Sequence, residues 1–351
     1  METLHPVTAV DVADALRSAS SRGVDVLPVG GRRHLDKGNP GPVDVELWTT
    51  QLDGVVSYEP AEMIATVGGG MRIGTLQATL AEGGQEWPVD APGDATVGGV
   101  IAAGASSPRR LRVGAVRDSV LRVEIVTGDG RIVRAGAPTV KQSAGYGITR
   151  AIVGSLGTLG VITEVALKVR PLPRARRAVI AEGPGLDLGA GMLAAVPFAA
   201  AVLADPGRVV ASLEGWPDEI EEQTDAARRV ADVIVDDDAG VPVAVESFPD
   251  APILAEASVA PSQLGAVLDG RTTWRAALGV GTAWVGVRDL DELDALRRRA
   301  TDAGGIAPVI RGVGGLGPAP AAARDVTLRL RAAFDPAGVL SRGRFWGASF
   351  H

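Results

Sequence analysis

The sequence contains no cysteine among its 351 residues and only three histidines, His5, His34 and His351. The absence of cysteine excludes disulfide bonds, zinc or iron–sulfur sites ligated by thiolates of this chain, and attachment of a cofactor through a cysteinyl bond. Three histidines leave little material for a histidine-rich metal centre. We therefore predict no metal site in this chain.

Long apolar runs and basic runs are also missing. No window reaches the roughly 18 consecutive apolar residues that a membrane-spanning helix needs. The N-terminal residues 1–18 carry acidic side chains instead of the apolar core of a signal peptide. The net charge is −7 and the isoelectric point is about 5.2, so nucleic acid is not an expected partner. We expect a cytoplasmic protein without a membrane span, and attachment to the inner membrane through a partner stays open.

The apolar content is sufficient for two domains, because 46% of the residues are hydrophobic. Residues 9–22 follow Thr8, a helix-capping residue, and precede Gly23, so they are expected to form a helix. Residues 54–60 and 63–70 predict one hairpin, and residues 120–136, which alternate around the turn GDG, predict a second. The stretch 85–119 is expected to be irregular, and residues 218–235 are expected to form a helix. The pattern changes after Pro173, which places a domain boundary near residues 171–177.

Four glycine-containing segments occur in the first half of the chain. Each puts glycine where a neighbouring backbone or a ligand must approach closely. Two or three such loops could converge on a pyrophosphate and bind it through backbone N–H groups without a helix dipole. Any one of them alone is equally typical of a plain tight turn. The segments are PVGGRRH (28–34), DAPGDATVGGVIAAG (90–104), GAVRD (114–118) and GSLGTLGVI (154–162).

The common nucleotide-binding signatures do not account for these loops. No G-x-x-x-x-G-K-[ST] sequence occurs, and GGGMRIG has Ile73 where G-x-G-x-x-G requires its last glycine before the helix. The loop at 154–160 runs into an alternating strand pattern at 161–169 instead of into a helix. The ligand must therefore be held by a different arrangement.

Several ordered motifs supply that arrangement by resemblance. The segments PVGGRRH, DATVGGVIAAG, VRDSVLRVEIVTGDGRIV, the run from Lys141 to Pro173, and FDPAGVLSRGRF resemble the FAD-binding oxidoreductases of the PCMH (vanillyl-alcohol oxidase) type. Within that family the chain looks most like the small flavin subunit of bacterial glycolate oxidase. The resemblance extends over residues 25–173, is weak over 174–320 and returns at 333–344.

The resemblance implies an α+β fold with two domains. A PCMH-type FAD-binding domain of two sub-domains, with FAD between them, would span residues 1–173 and take back residues 332–351. Residues 174–331 would form a smaller α+β cap domain that serves substrate or partner.

The resemblance also implies the residues that bind FAD. Backbone N–H groups of Gly30 to Arg33 would donate to the pyrophosphate, and Val161 and Ile162 would offer backbone groups to the nucleotide. The full predicted set is Pro28, Val29, Gly30, Gly31, Arg32, Arg33, His34, Ala95, Thr96, Val97, Gly98, Gly99, Gly104, Arg109, Arg110, Asp118, Gly157, Thr158, Gly160, Val161 and Ile162.

Four of these residues have a second interpretation. Asp118 would either brace the second glycine loop or cap a turn. Arg109 and Arg110 would either face the flavin ring or be solvated and ion-paired. Two arginines separate His34 from the paired glycines, so we expect non-covalent FAD and a hydrogen-bonding His34.

The implied activity is that of an FAD-binding subunit of a glycolate-type 2-hydroxy-acid oxidoreductase. The subunit would pass electrons from the substrate or a sister flavoprotein to an acceptor. Expected partners are a larger FAD-binding subunit and an iron–sulfur subunit, because self-sufficient relatives carry a histidine-bearing metal site. This chain has no histidine between His34 and His351, and no catalytic residue is assigned. The alternatives are a non-catalytic assembly or electron-relay module, and a stand-alone FAD-dependent alcohol or sugar oxidase.

Overall fold

The computed structural model describes residues 1–105, 107–139, 146–237, 248–318 and 321–345. The chain divides into two compact units. The first consists of Met1–Ala105, Ala115–Leu172 and Pro318–His351, and the second of Ser106–Gly114 and Pro173–Gly317. Residues 141–145 of the predicted motif that starts at Lys141 lie outside the described residues.

The first unit contains a small parallel sheet with the order β1-β3-β2. Its strands are β1 (Glu2–Leu4), β2 (Val26–Val29) and β3 (Val45–Trp48). Helix α1 (Ala9–Arg22) packs Val12 and Leu16 into the same apolar core as the side chains of this sheet. Thr8 caps α1 by accepting the N–H of Asp11, as the sequence predicts.

A second sheet of the first unit has five antiparallel strands in the order β4-β5-β9-β7-β8. The predicted hairpins form two of its pairs. Strand β9 is buried on both faces along most of its length because it is the central strand. The strands are β4 (Val55–Glu59), β5 (Ile64–Gly68), β7 (Val120–Val126), β8 (Ile132–Gly136) and β9 (Val161–Lys168), and the short β6 (Gln85–Glu86) pairs separately with β10 (Arg170–Pro171).

Helices in the first unit cover this second sheet with apolar side chains such as Leu76, Ile101 and Ile152. The stretch 85–119, which the sequence predicts to be irregular, contains helix α3, capped at Thr96. These helices are α2 (Ile73–Glu82), α3 (Val97–Ala103), α5 (Tyr146–Ile152) and α10 (Ala321–Phe334).

The second unit contains an eight-stranded antiparallel sheet in the order β14-β11-β13-β12-β16-β17-β15-β18. Its strands are β11 (Ala175–Glu182), β12 (Ala201–Asp205), β13 (Arg208–Gly215), β14 (Ile234–Asp236), β15 (Ile253–Ser258), β16 (Trp274–Ala277), β17 (Thr282–Val287) and β18 (Val309–Arg311).

Helices of the second unit share one apolar core with this sheet. The helix predicted over residues 218–235 ends at Arg228, and Ile234 to Asp236 instead pair with β11 as an edge strand. The helices of this unit are α4 (Arg110–Val113), α6 (Gly185–Ala195), α7 (Pro217–Arg228), α8 (Leu264–Leu268) and α9 (Leu290–Asp302).

The division of the chain differs from the predicted boundaries in two places. Residues 106–114 belong to the second unit, where Arg109 and Arg112 form contacts. Residues 318–331 belong to the first unit, and helix α10 places Leu330 and Phe334 against its core. The mixed architecture is the predicted α+β class.

Candidate functional site

One cleft in the first unit brings together three of the predicted glycine segments. Most of the predicted FAD-binding residues line it. They are Pro28, Val29, Gly30, Gly31, Arg32, Arg33, His34, Ala95, Thr96, Gly98, Gly99, Gly157, Gly160, Val161 and Ile162.

The paired glycines of the first segment lie directly against the second segment. A Cβ atom at Gly30 would overlap the hydroxyl of Thr96, and a Cβ atom at Gly31 would overlap the carbonyl oxygen of Asp94. Only residues without a side chain allow this approach, so the two glycines fix how closely the loops meet.

The first segment also offers a row of backbone donors. Among the described residues, the N–H groups of Gly30, Gly31, Arg32 and Arg33 donate no hydrogen bond to a protein acceptor. Successive backbone N–H groups in a glycine-rich loop form a typical anion-binding concavity. The donor set therefore fits the diphosphate of a dinucleotide such as FAD.

The side chain of Arg32 is held in place by two neighbours. Its guanidinium lies 5.0 Å from the ring centroid of Trp48 and forms an ion pair with Glu46. Glu46 is buried and also accepts the indole N–H of Trp48 at 3.0 Å. The backbone of Arg32 has a φ of 59°, an unfavourable conformation for a residue with a side chain. The contacts with Glu46 and Trp48 hold Arg32 in that conformation.

The side chain of Arg33 connects the same loop to the second segment. Its Nε lies 2.8 Å from both carboxylate oxygens of Asp94, in the second segment. The hydrogen bond from Arg33 holds the pKa of Asp94 below its usual value. Both side chains are about half exposed, so the pair orders the loop more than it stabilises the fold.

The second segment contributes surface more than hydrogen-bond donors. The N–H of Gly98 donates to the carbonyl of Gly69 at 2.7 Å, and the N–H of Gly99 donates to the hydroxyl of Thr96 at 3.2 Å. Both amides are therefore committed within the protein. A Cβ atom at Gly98 would come within 2.8 Å of the carbonyl oxygen of Gly69, so the missing side chain allows this segment to pack closely beneath the cleft.

The third segment reaches the cleft through a sharp turn. Leu156 and Gly157 have φ angles of 54° and 74°. Leu156 and Arg32 are two of the four non-glycine residues with positive φ among the described residues, and both line the cleft. Such strained backbone is typical of ligand-binding sites.

The C-terminal return closes this region of the first unit. The buried Asp335 accepts the N–H groups of Val339 and Leu340 at 3.0 and 2.9 Å, which orders the turn in DPAGVLSRG. Beyond this turn, Arg344 donates from Nη2 to the carbonyls of Leu35 and Lys37 at 2.7 and 2.6 Å. Burial lowers the pKa of Arg344.

Arg344 lines the cleft, and sequence reasoning did not assign it. The resemblance marked its segment but no residue within it. Composition gave no signal for the remaining residues that were missed, which are mostly aliphatic. These lining residues are Leu27, Leu35, Thr49, Ala102, Ala103 and Leu156.

Three predicted residues in the first unit belong to the support of the cleft instead of its lining. Val97 is fully buried in the core. Gly104 lies against the backbone of Gly154, and the hydroxyl of Thr158 donates to the carbonyl of Ser155 at 2.7 Å. Each sits next to a residue that does line the cleft.

Three charged residues of the predicted set, Asp118, Arg109 and Arg110, are not among the residues that line the cleft either. Asp118 caps a short turn by accepting the N–H of Ala115 at 3.0 Å, the second of its two interpretations. Arg109 is buried in the second unit, with its Nη1 3.1 Å from the carboxylate of Glu214. Arg110, also in the second unit, begins helix α4. The assignment of these three residues to the cofactor therefore stays a prediction, which their contacts within the protein do not support.

Membrane and metal features can be stated for the described part of the chain. Within it, no helix is both long and apolar enough to cross a bilayer. No group of three or more histidine or acidic side chains is placed to hold a metal ion there.

The fold and the cleft define a class, namely an α+β domain that binds a dinucleotide through glycine loops. Residues 3–136 match the family described as an FAD binding domain. The match covers less than half of the chain, which over these residues is similar to PCMH-type FAD-binding domains, and FAD is its cofactor.

Relatives of known description agree with this assignment. The chain is 44% identical over 125 residues to the glycolate oxidase subunit GlcE of Escherichia coli, covering 35% of this chain and 36% of that protein. It is 33% identical over 179 residues to a D-lactate dehydrogenase of Anaerostipes hadrus, covering 49% of this chain and 37% of the relative. A mitochondrial D-2-hydroxyglutarate dehydrogenase of Rattus norvegicus is 32% identical over 185 residues, covering 52% and 35%. The chain thus spans 35–37% of the length of these relatives.

A solved structure extends the fold assignment to nearly the whole chain. An alkyldihydroxyacetonephosphate synthase aligns with 96% of this chain and 76% of its own, with a TM-score of 0.69 and 14% identity. At this identity the match supports the fold alone.

Proposed function

We propose that this chain is the FAD-binding subunit of an oxidoreductase that acts on 2-hydroxy acids of the glycolate type. The observation that carries the proposal is the 44% identity with the glycolate oxidase subunit over 125 residues. The two dehydrogenases described above also act, by their names, on 2-hydroxy acids.

The first unit would contribute the cofactor site. The backbone N–H groups of Gly30 to Arg33 would hold the diphosphate, and Gly98 and Gly99, which line the same cleft, would lie close to the ring system. When bound, FAD supplies the two-electron acceptor for oxidation of a CH–OH group. The residues of this chain bind and orient it.

The oxidation also needs a base for the hydroxyl proton and cationic groups for the carboxylate. The chain has no histidine between His34 and His351 to serve as that base in the second unit. It has no cysteine to ligate an iron–sulfur cluster. We therefore propose that a larger flavin subunit and an iron–sulfur subunit complete the enzyme. The complex would be cytoplasmic or attached to the inner membrane through a partner.

The first test is cofactor content. The purified full chain is expected to show the visible spectrum of an oxidised flavin and to release FAD when it is denatured. A colourless chain that cannot be reconstituted with FAD would refute the proposal.

The second test is reduction under anaerobic conditions. Glycolate or D-lactate is added to the chain alone and to the chain co-expressed with the proposed larger flavin subunit and iron–sulfur subunit. We expect the flavin of this chain to bleach in the assembled complex. Bleaching of the isolated chain would indicate that it oxidises the substrate itself. A flavin that stays oxidised in both samples would contradict the proposed activity.

A further inference from the structure

The second unit contains a depression in which arginine is unusually concentrated for a chain of net charge −7. Arg271, Arg288 and Arg299 line it, together with the acids Asp269 and Glu292. All five residues belong to the second unit. Cations therefore outnumber acids in this depression.

Arg288 is already neutralised by its neighbour on helix α9. Its Nε lies 2.6 Å from Oε1 of Glu292, and its backbone N–H donates to Oε2 of the same carboxylate at 2.8 Å. Glu292 also interacts electrostatically with Arg271, without forming an ion pair with it among the described residues. The three arginines that line the depression exceed its two carboxylates, those of Asp269 and Glu292, by one positive charge.

Arg271 has no such partner. Among the described residues its guanidinium forms no hydrogen bond or ion pair, and its Nε is buried without an acceptor. Its backbone is fixed, because its N–H donates to the carbonyl of Leu268 and its carbonyl accepts the indole N–H of Trp274, each at 3.0 Å. A buried donor without an acceptor is costly unless a ligand supplies one.

Arg299 provides a second cation at the same place. Its Nη1 donates to the carbonyl oxygen of Asp269, which positions the side chain without neutralising its charge. Burial and the nearby charge of Arg299 lower the pKa of Arg271, and the carboxylate of Glu292 raises it in part. Two like charges are thus held close together in a partly desolvated site.

We propose that Arg271 and Arg299 form a binding site for a small dianionic oxyanion, a phosphate or a dicarboxylate. Guanidinium groups match the planar oxygen pairs of both anions and bind them in bidentate fashion. An oxyanion would accept from the unpaired Nε of Arg271 and offset the excess positive charge of the depression. The site is a property of the second unit and does not depend on the function proposed for the first.

The test is calorimetric titration of the full chain with inorganic phosphate and, separately, with malonate. FAD is kept in excess so that neither anion occupies the cofactor cleft, and chloride keeps the ionic strength constant. We expect saturable binding of one anion per chain. The tighter of the two anions identifies whether the natural ligand is a phosphate or a carboxylate.

Variants locate the binding. Arg271→Gln and Arg299→Gln are each expected to weaken the affinity by about tenfold or more, and Arg271→Lys by less, because lysine keeps the charge but not the bidentate geometry. Arg228→Gln is the matched control, since it also removes one cation from this unit but its guanidinium pairs with Glu221 and Asp225. Its anion affinity should equal that of the unmodified chain.

Two results would overturn the proposal. One is the absence of saturable binding by either anion in excess of the chloride control. The other is binding that survives both Arg271→Gln and Arg299→Gln in variants whose thermal unfolding is unchanged.

Discussion

Arginine has opposite roles in the two units. In the first unit Arg32, Arg33 and Arg344 fasten the loops around the cleft by binding Glu46, Asp94 and two backbone carbonyls. In the second unit Arg109 is buried against Glu214, and Arg271 has no partner among the described residues.

The difference indicates which groups meet a ligand. In the first unit the arginine side chains are engaged in contacts that hold the loops in place, so the main-chain N–H groups remain to bind the diphosphate. In the arginine-lined depression of the second unit, the proposed oxyanion would be bound by the side chains of Arg271 and Arg299. The two units should therefore respond differently to mutation, the first to changes of backbone shape and the second to changes of charge.

The largest expected effect is that of Gly31→Val on FAD binding. The new side chain would overlap the carbonyl oxygen of Asp94 and displace the donor row. We expect FAD affinity to fall by about a hundredfold or more, measured by quenching of flavin fluorescence. Gly54→Ala, at a glycine of the same unit with no atom within 4 Å of the new Cβ, should bind FAD normally. Normal binding by Gly31→Val would show that the first loop is not part of the site.

Arg109→Met should destabilise the fold without changing FAD affinity. It leaves Glu214 buried with Arg176 as its remaining ion-pair partner, at 3.3 Å. Loss of one member of a buried pair costs about 3 kcal/mol or more, which calorimetry of thermal unfolding would detect. Arg176→Met, at a more exposed position, should cost less. A decrease in FAD affinity for Arg109→Met would support the sequence-based prediction that Arg109 faces the flavin.

Glu46→Gln tests whether the ion pair with Glu46 holds Arg32 in its observed conformation. Without the carboxylate, nothing charged holds Arg32 in its positive-φ conformation, and the loop should sample other shapes. We expect FAD affinity to fall by about tenfold with little change in unfolding temperature. Glu2→Gln removes an exposed carboxylate that pairs with Arg22 in the same unit and should leave the affinity unchanged. Equal affinities for the two variants would contradict a positioning role for Glu46.

Asp94→Asn should have the smallest effect, and that effect should depend on pH. Because Arg33 lowers the pKa of Asp94 in the folded chain, their interaction contributes fully above the unfolded value of about 3.9. It is lost as the pH falls through the lowered folded value. The urea midpoint of the unmodified chain should therefore exceed that of Asp94→Asn near pH 6 and converge with it in strong acid. A constant difference at all pH values would exclude this ion pair as its cause.

Local sequence patterns predicted the parts of the first unit that depend on backbone conformation. Thr8 and Gly23 bound helix α1 as expected, and the GDG turn joins β7 to β8. The glycine loops were identified for the same reason, because close approach and positive φ leave a direct trace in the sequence.

Contacts between residues that lie far apart in the sequence could not be predicted from local sequence patterns. Arg109 and Glu214 are separated by 105 positions, and nothing near Arg109 indicates that it is an internal ion pair. Helix α3 was missed because its two glycines weaken any helical pattern, although Thr96 caps it. The strand order of the second unit likewise depends on long-range pairing that alternation alone does not determine.

The most direct test of the account is an experimental structure of the chain with FAD bound. The account predicts diphosphate oxygens within about 2.7–3.2 Å of the backbone nitrogens of residues Gly30 to Arg33, in the cleft that Gly157 also lines. A diphosphate bound elsewhere, with those four N–H groups facing only water, would contradict it.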